Sequence, residues 1–526
     1  MSASYMPWQG SWMKKSLIDY KVFVPSLLIV IAISVPFVLY EQESLTLLNA
    51  IFDTIVDVFS WGYLWYGVAL VVAGLYLSFS RYGRVVLGDP REKPRFTLFE
   101  YSSILIAMGI GSTIMRTAML QWTSVANDPP GGVAPGSPEA LLWGNAYSMF
   151  LWGFQVFAIF VMIAPAMGYI LHVRKRPLMR ISEASRVLFG DRVVDGLGGK
   201  LLDILFLVSI LTGAAVTLGL GAPIITYNLA ELMGTEVSFT MTIVVTIVWV
   251  LLFSVSAYLG IEKGIKRLST WNMYIAGGFA LFVVLAGPGV FIMSYFSDSV
   301  AFLLSNYVRM SLGTDAVHDG GASHVQSNTV FWFAYSATWA LLHSVFAAKI
   351  SQGRTIKELI LTYLLAPTLI AWVATAVLGG LGVYQYLQGD LGVLQLVENQ
   401  ERMAAIPEIL STLPFGDIAI AIFIVVAMIF LTTTLDSTTY TVAAYTSTED
   451  MSKYEPPKML RIIIAAIITA VALILMRIGG LPPLEVVSGL MGLPVIVIQF
   501  VLIYAAKKMM DEDRAWQYNV RGQANS

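Results

Sequence analysis

Apolar runs long enough to cross a bilayer alternate with short polar connections along almost the whole chain. A helix needs about 20 mostly apolar residues to span the hydrocarbon core of a membrane, and twelve runs approach or exceed that length. Several are longer by a turn or two, which predicts tilted or bent helices. The pattern therefore predicts an all-α membrane protein with twelve transmembrane helices. The runs cover residues 21–40, 54–80, 99–121, 141–171, 201–231, 238–259, 271–296, 328–349, 359–385, 417–446, 460–477 and 485–506.

Composition agrees with a membrane protein and excludes several other classes. The 526 residues are 57% hydrophobic and only 13% charged, whereas soluble domains carry about a quarter charged residues. Cysteine is absent, which excludes disulfides and thiolate metal sites. The four histidines lack the spacing of metal ligands, and residues 1–20 do not read as a cleavable signal peptide. The basic residues are spread over loops, so we expect no nucleic-acid partner.

The distribution of basic residues predicts the orientation. If the N-terminus is cytoplasmic, 28 of the 32 Lys and Arg residues fall in cytoplasmic segments, as the positive-inside rule requires. We therefore expect a multi-pass protein of the cell inner (plasma) membrane with both termini in the cytoplasm. In this arrangement only Arg116 is left inside a span, where a charge is costly and needs an acceptor or water.

Three segments carry candidate chemistry. The run Phe331–Thr355 holds a cluster of aromatic residues, and aromatic faces can hold a cation without a countercharge. In span three, Gly109 and Gly111 favour an unwound helix whose carbonyl oxygens could bind an ion, although small residues also serve close helix packing. In span ten, residues 432–434 are three consecutive threonines, which can supply hard oxygen ligands or bond back to their own helix.

Four motifs in these segments and near them resemble those of one transporter family. AKISQGRT (348–355) resembles the ARISRGRT element of the betaine/choline/carnitine transporter (BCCT) family, and the aromatic run before it falls where that family carries a Trp-rich signature. The segment 105–111 matches its glycine stretch GMGIG. IFLTTTLDSTTY (429–440) is similar to its element ending FxxTSxDS, and IEKGIKRLSTWNMY (261–274) resembles DKGxxxxSxxNM. The chain is identified as a diverged member, with the resemblance covering about residues 99–506.

The resemblance implies a LeuT-type fold of two inverted five-helix repeats preceded by two extra helices. The expected organisation is a cytoplasmic tail (1–20), two prefixed helices (21–98), the first repeat (99–296), an interfacial helix and outer loop (297–327), the second repeat (328–506) and a short cytoplasmic tail (507–526). A helix at 298–312 contributes to trimer contacts in the family, or it merely lies on the membrane lipid. A homotrimer is the expected assembly.

The resemblance also implies the site residues. Trp152, Tyr335 and Trp339 fall on aromatic positions of the family's substrate box, while Ser336 stands where a Trp is usual. The backbones of Ala107, Ile110 and Phe430 and the hydroxyls of Thr433 and Thr434 fall on its sodium site. Asn272 occupies a position where Na⁺-independent exchangers have Arg, which favours Na⁺ coupling. Trp332 and Gln121 are further candidates, and Arg116 is a candidate that departs from the family, which commonly has an apolar or aromatic residue at this position.

Two candidate residues leave alternatives open. Arg116 could bind a substrate carboxylate, unwound carbonyl groups or a protein carboxylate such as Asp436, and Asp436 itself is read as a residue that orients its helix or belongs to a polar network. His343 is either a packing residue or a proton-coupling group.

The function predicted is secondary active transport by alternating access rather than enzyme catalysis. The expected substrate is a betaine-like solute (quaternary ammonium or sulfonium) or a related zwitterion, taken up with Na⁺ and without a cofactor. The alternative is Na⁺-independent exchange, with the charge of Arg116 replacing the ion. A channel would need rings of charge and an enzyme an acid/base or metal constellation, and the spans offer neither.

Overall fold

The computed structural model describes residues 18–109, 111–314, 316, 324–389, 403–451, 454–478 and 481–517. Throughout these ranges helices are joined by turns and loops, and the β pairing in them is limited to two isolated bridges. The helices are α1 Tyr20–Leu39, α2 Glu41–Phe79, α3 Leu98–Gly109, α4 Gly111–Asn127, α5 Pro138–Leu151, α6 Phe154–Val161, α7 Ala164–Gly168, α8 Ile181–Val194, α9 Leu197–Met233, α10 Phe239–Gly260, α11 Lys266–Ala286, α12 Gly289–Leu312, α13 Phe331–Ile350, α14 Ile356–Ala374, α15 Gly380–Gln388, α16 Ala405–Ser411, α17 Gly416–Thr446, α18 Lys458–Ile478 and α19 Leu481–Glu512.

Within the described residues, nine helical segments are long and apolar enough to cross a membrane. The pair α3 and α4 adds a tenth if it counts as one broken span, and α1 holds a shorter apolar segment, Tyr20–Pro36. The prediction of an all-helical membrane protein is confirmed. Twelve spans and the inverted repeat stay predictions.

The seventh predicted span ends earlier than the sequence suggested. We expected a span over 271–296 and a separate helix over 298–312, but α11 ends at Ala286 and a continuous α12 begins at Gly289. Pro288 lies between them, and proline cannot donate the backbone bond that would continue a helix. Leu303 of α12 is buried against the bundle, while Leu304 and Val308 are largely exposed, so the stretch is the second half of a long helix with one buried face.

The third predicted span is broken, as the glycines suggested. α3 ends at Gly109 and α4 begins at Gly111, and the two helix axes differ by 55°. The last carbonyl groups of α3 and the first N–H groups of α4 therefore lack partners within their own helices. This break leaves backbone groups in the bundle to pair with side chains or ligands, as the carbonyl of Ala107 does with the Thr434 hydroxyl.

The aromatic helix α13 lies at the centre of the bundle and is buried over most of its length. It packs closely on α19, where a Cβ atom at Gly492 would lie 2.2 Å from the carbonyl oxygen of Ala334. Only glycine permits this approach of the two backbones. Phe333, on the other side of α13, leaves equally little room beside Gly67 of α2. Neighbouring helices therefore fix the position of α13 along and around its axis.

The motif AKISQGRT (348–355) at the end of α13 is held by hydrogen bonds to the segment between α2 and α3. The Gly353 N–H donates to the carbonyl of Leu87 at 2.8 Å, the Leu87 N–H donates to the carbonyl of Arg354 at 2.8 Å, and Arg354 Nη2 donates to the carbonyl of Phe96 at 2.7 Å. Gly353 has φ of 78°, and a Cβ atom there would lie 2.6 Å from the carbonyl oxygen of Lys93. The turn thus joins α13 to the segment between α2 and α3. We call this end of the bundle, which carries Arg354 and Phe96, the basic end.

Candidate functional site

A small cavity lies between the break in α3–α4 and the aromatic face of α13. Trp332, Tyr335, Trp339 and His343 follow one another at helical spacing, so they project from the same face of α13. The residues lining this aromatic cavity are Met108, Gly109, Trp152, Phe160, Thr217, Trp332, Tyr335, Ser336, Trp339, His343 and Thr434. Five of the seven predicted substrate residues are therefore brought together.

Trp152 reaches the cavity because its helix ends there. α5 stops at Leu151 and α6 starts at Phe154, and the residues between them leave the helical path. The Trp152 ring meets the Trp332 ring edge to face at a centroid distance of 5.0 Å, and Trp332 Nε1 donates to the carbonyl of Leu151 at 2.8 Å. The bend in the chain and this hydrogen bond thus orient both rings together.

The cavity is narrow in this conformation. Its volume is about 30 Å³, which is room for water but not for a solute with several methyl groups. The Trp332 and Tyr335 rings lie nearly parallel at 5.8 Å, and the Tyr335 and Trp339 rings meet at 6.4 Å. A solute with methyl groups would therefore have to separate these rings in order to enter.

One side of the cavity is polar. His343 Nδ1 lies 2.7 Å from the hydroxyl of Tyr363, on α14. A Cβ atom at Gly109 would lie 3.2 Å from the same hydroxyl and 3.7 Å from the His343 ring. The absence of a side chain at Gly109 thus lets the broken helix end directly against the His343–Tyr363 pair. Thr217, Ser336 and Thr434 add three hydroxyl groups to the lining.

Four of the five predicted ion ligands lie together next to this polar side. The hydroxyl of Thr434 lies 3.1 Å from the carbonyl oxygens of both Ala107 and Phe430, and the hydroxyl of Thr433 lies 2.9 Å from the carbonyl oxygen of Phe430. Neutral carbonyl and hydroxyl oxygens suit a small monovalent cation, because they replace its hydration shell without adding charge. Ile110, the fifth predicted ligand, lies outside the described residues. We call the other four the oxygen cluster.

Two buried residues of α11 carry polar groups without a partner among the described residues. Asn272, on α11, is fully buried, and neither atom of its amide has a hydrogen-bond partner among the described residues; the same holds for the hydroxyl of Ser269 one turn earlier. Burying such groups without a partner costs about 1–3 kcal/mol each, so these positions mark room for a water molecule or an ion. α11 packs against both α3 and α17, which carry the oxygen cluster.

Arg116 and Gln121 do not line the cavity. Both residues are on α4 and are partly buried. The pairing of Arg116 with Asp436 that we considered is wrong, because Asp436 is occupied elsewhere. Its two oxygens accept hydrogen bonds from Arg461 Nη2 and from the hydroxyl of Ser256, both at 2.6 Å.

Arg461 was missed in the sequence. We counted it among the basic residues outside the spans, but it is 1% exposed and lies within α18. Its position three residues after Lys458, at the start of an apolar run, resembles an ordinary topology signal. Phe160 and Thr217, which also line the cavity, had no sequence signal, since many apolar and hydroxyl residues fill these spans.

At the basic end, a second polar cluster joins distant segments. Arg180 donates to the side chain of Asp19 at 2.9 Å and to the carbonyl of Tyr445 at 3.1 Å. The Tyr445 hydroxyl donates to Asp203 at 2.5 Å. Because Tyr445 is near the end of α17, this basic-end latch ties the helix of the oxygen cluster to α9 and to the start of α1.

A chain of apolar helices with a broken span, an aromatic cavity and an oxygen cluster in its interior is an integral membrane protein built as a transporter. The family model described as "BCCT, betaine/carnitine/choline family transporter" matches residues 21–515, nearly the whole chain. The protein therefore belongs to this family of secondary transporters. Among solved structures, it is similar to the substrate-bound outward-open state of a Na⁺-coupled sialic acid symporter, at 14% identity over 84% of this chain and 86% of that one, with a TM-score of 0.46.

Proposed function

We propose that the protein is a Na⁺-coupled symporter that takes up a betaine-like zwitterion, with a quaternary ammonium or sulfonium group bound in the aromatic cavity. The observation that carries this proposal is the position of Thr434. Its side chain lines the aromatic cavity and at the same time belongs to the oxygen cluster. A residue shared by two sites gives each ligand a direct effect on the other.

The aromatic cavity suits a cation that has no hydrogen-bond donor of its own, such as a methylated ammonium group. No acidic side chain is among the described residues that line it. A methylated cation would then be held by ring faces, each contributing roughly 0.5–2 kcal/mol. Trp152, Trp332, Tyr335 and Trp339 offer four rings, so the sum of about 2–8 kcal/mol corresponds to dissociation constants from tens of millimolar down to micromolar once the rings separate.

The oxygen cluster would couple Na⁺ to this binding. An ion held by Ala107, Phe430, Thr433 and Thr434 would fix the end of the broken helix α3 against α17. The same ion would order the wall of the cavity that Thr434 forms, so substrate would bind more tightly. Such coupling is reciprocal, and substrate would equally raise the affinity for Na⁺. Asn272 is neutral, which leaves the charge of the site to the ion rather than to an arginine.

Alternating access would release Na⁺ and the substrate into the cytoplasm. We propose that the basic end is cytoplasmic, that the two five-helix halves of a LeuT-type repeat rock around the cavity, and that the molecule sits in the inner membrane as a homotrimer. The exposed residues Leu304 and Val308 of α12 offer an apolar surface for contact between subunits. In the exchange alternative Arg116 would replace the ion, but Arg116 does not reach the aromatic cavity.

The test is intrinsic tryptophan fluorescence of the purified protein, titrated with glycine betaine, carnitine, choline, dimethylsulfoniopropionate, ectoine and taurine. The titrations are run in Na⁺ and in K⁺. Saturable binding of a methylated zwitterion that requires Na⁺ supports the proposal. Binding of equal affinity in both salts supports exchange, and no response to any methylated cation overturns the proposed substrate class.

A further inference from the structure

We propose that His343 binds the anionic end of the substrate, which makes the preferred ligand a short zwitterion rather than a simple cation. This inference rests on the proposed function and adds to it the residue that distinguishes zwitterions from cations. The sequence suggested Arg116 for the anionic end, but Arg116 is not part of the cavity lining, whereas His343 is.

His343 has the right position relative to the rings. It follows Trp339 by one helical turn, and the two ring centroids are 6.0 Å apart. One short ligand could therefore place its cation against Trp339 and its anion against His343. A short spacer between the two charges of the ligand would match this distance, and a long one would push the cation past the ring.

The hydrogen bond to Tyr363 occupies Nδ1 and leaves Nε2 as the ring nitrogen that can serve the ligand. Nδ1 is 2.7 Å from the Tyr363 hydroxyl, which can donate to it. A neutral imidazole that accepts at Nδ1 carries its proton on Nε2. Nε2 is then an N–H donor, and a carboxylate is an acceptor that matches it. The Phe160 ring, at a centroid distance of 4.1 Å, holds the plane of the imidazole.

His343 lies at the break between α3 and α4, where unpaired backbone groups are available to a ligand. The ring lies beside Gly109, where α3 stops, and α4 begins two residues later at Gly111. The first N–H groups of a helix are unpaired within it and carry partial positive charge. An anion in the cavity would find donors in His343 Nε2 and in the first N–H groups of α4 at the break, while the last carbonyl groups of α3 carry partial negative charge and would not attract it. It would also lie next to the oxygen cluster, where a bound cation would attract it.

The experiment compares two ligands on the full-length protein by isothermal titration calorimetry in Na⁺ buffer. Glycine betaine carries both charges, while tetramethylammonium carries only the cation. In His343→Leu we expect glycine betaine to bind about 10- to 100-fold more weakly, which corresponds to the loss of one hydrogen bond to a charged group. Tetramethylammonium should bind as it does to the wild type. His343→Gln keeps an N–H donor and should recover part of the affinity for betaine.

Two further variants sharpen the comparison. Tyr363→Phe removes the group that fixes the tautomer and should weaken betaine binding without affecting tetramethylammonium. His172→Leu is the matched control, because His172 is also a buried histidine with one hydrogen bond, 2.8 Å from Nε2 to the carbonyl oxygen of Ala348, but it does not line the cavity. It should bind both ligands normally.

The outcomes separate this inference from the proposed function. Suppose that the wild type binds both ligands and that His343→Leu weakens the binding of both equally or of neither. Then His343 does not bind the anionic end and the inference is overturned, but the proposed aromatic site is unaffected. If the wild type binds no methylated cation, the proposed function fails and the inference fails with it.

Discussion

The Thr434 hydroxyl lies 3.1 Å from the carbonyl oxygen of Ala107, although 327 positions separate the two residues in the chain. This contact joins the end of the broken helix α3 to the middle of α17. It also places the oxygen cluster against the aromatic cavity, because Thr434 belongs to both. The predictions below follow from this arrangement and from the packing that supports it.

Removal of the Thr434 hydroxyl should weaken Na⁺ binding. Thr434→Val keeps the volume of the side chain but deletes one oxygen of the cluster, at a cost of about 1–3 kcal/mol. The Na⁺ concentration for half-maximal substrate binding should rise roughly five- to a hundredfold. Thr441→Val is the control, because the Thr441 hydroxyl bonds only to the carbonyl of Ser437 in its own helix. The same half-maximal Na⁺ concentration in Thr434→Val and Thr441→Val would mean that the Thr434 hydroxyl does not bind the ion.

Loss of one ring from the aromatic cavity should weaken binding of a methylated cation. Trp339→Leu deletes a contribution of roughly 0.5–2 kcal/mol, so affinity measured by calorimetry should fall about 3- to 30-fold. Trp65→Leu serves as the comparison, since Trp65 is 57% exposed on α2. A matching loss in Trp65→Leu would mean that the effect reports general destabilisation rather than contact with the ligand.

The buried pair of Asp436 and Arg461 should be important for stability. Arg461→Met leaves a carboxylate uncompensated in the interior, which destabilises by about 3–5 kcal/mol. The double variant Asp436→Asn with Arg461→Met removes both charges and should recover most of the lost thermal stability. Unfolding temperatures in detergent provide the measurement. A double variant no more stable than Arg461→Met alone would argue against charge pairing as the cause.

The turn after α13 should not tolerate a side chain at Gly353. Gly353→Ala places a Cβ atom 2.6 Å from a backbone oxygen at a φ of 78°, and the strained backbone alone costs about 1–3 kcal/mol. We expect a lower unfolding temperature and a lower yield of folded protein. Gly277→Ala is the matched control, because nothing lies within 4 Å of a Cβ atom there. Equal stability of both variants would contradict the close approach of the two segments.

The basic-end latch should hold the cavity closed toward that end. Arg180→Gln weakens its bonds to Asp19 and Tyr445, so a thiol introduced as Ser336→Cys should react several-fold faster with a charged reagent added from the basic end. The absence of native cysteine makes this label specific. Arg186→Gln is the control, because Arg186 pairs with Glu183, Asp191 and Asp195 outside the latch. An unchanged labelling rate in Arg180→Gln would contradict the proposal that the basic-end latch gates the cavity.

Much of the candidate site could be read from local sequence. Glycines at 109 and 111 indicate a break because a residue without a Cβ atom leaves the helical conformation easily, and the aromatic run of α13 is visible by composition alone. Arg461 shows what local sequence could not predict, namely that this arginine is buried. Near the end of a span, a buried arginine and a loop arginine look the same in sequence, and only the position of Asp436 distinguishes them.

The sequence by itself determined that the chain is a helical membrane protein, that its third predicted span breaks between Gly109 and Gly111, and which family it belongs to, because length, hydropathy and short motifs are local properties. Only the tertiary structure decided which partners meet: Arg461 rather than Arg116 with Asp436, His343 with Tyr363, and Thr434 with Ala107. These contacts depend on how helices rotate and cross, and helices covered with similar apolar residues do not encode that rotation locally. The packing of small residues such as Gly492 against neighbouring backbones fixes it.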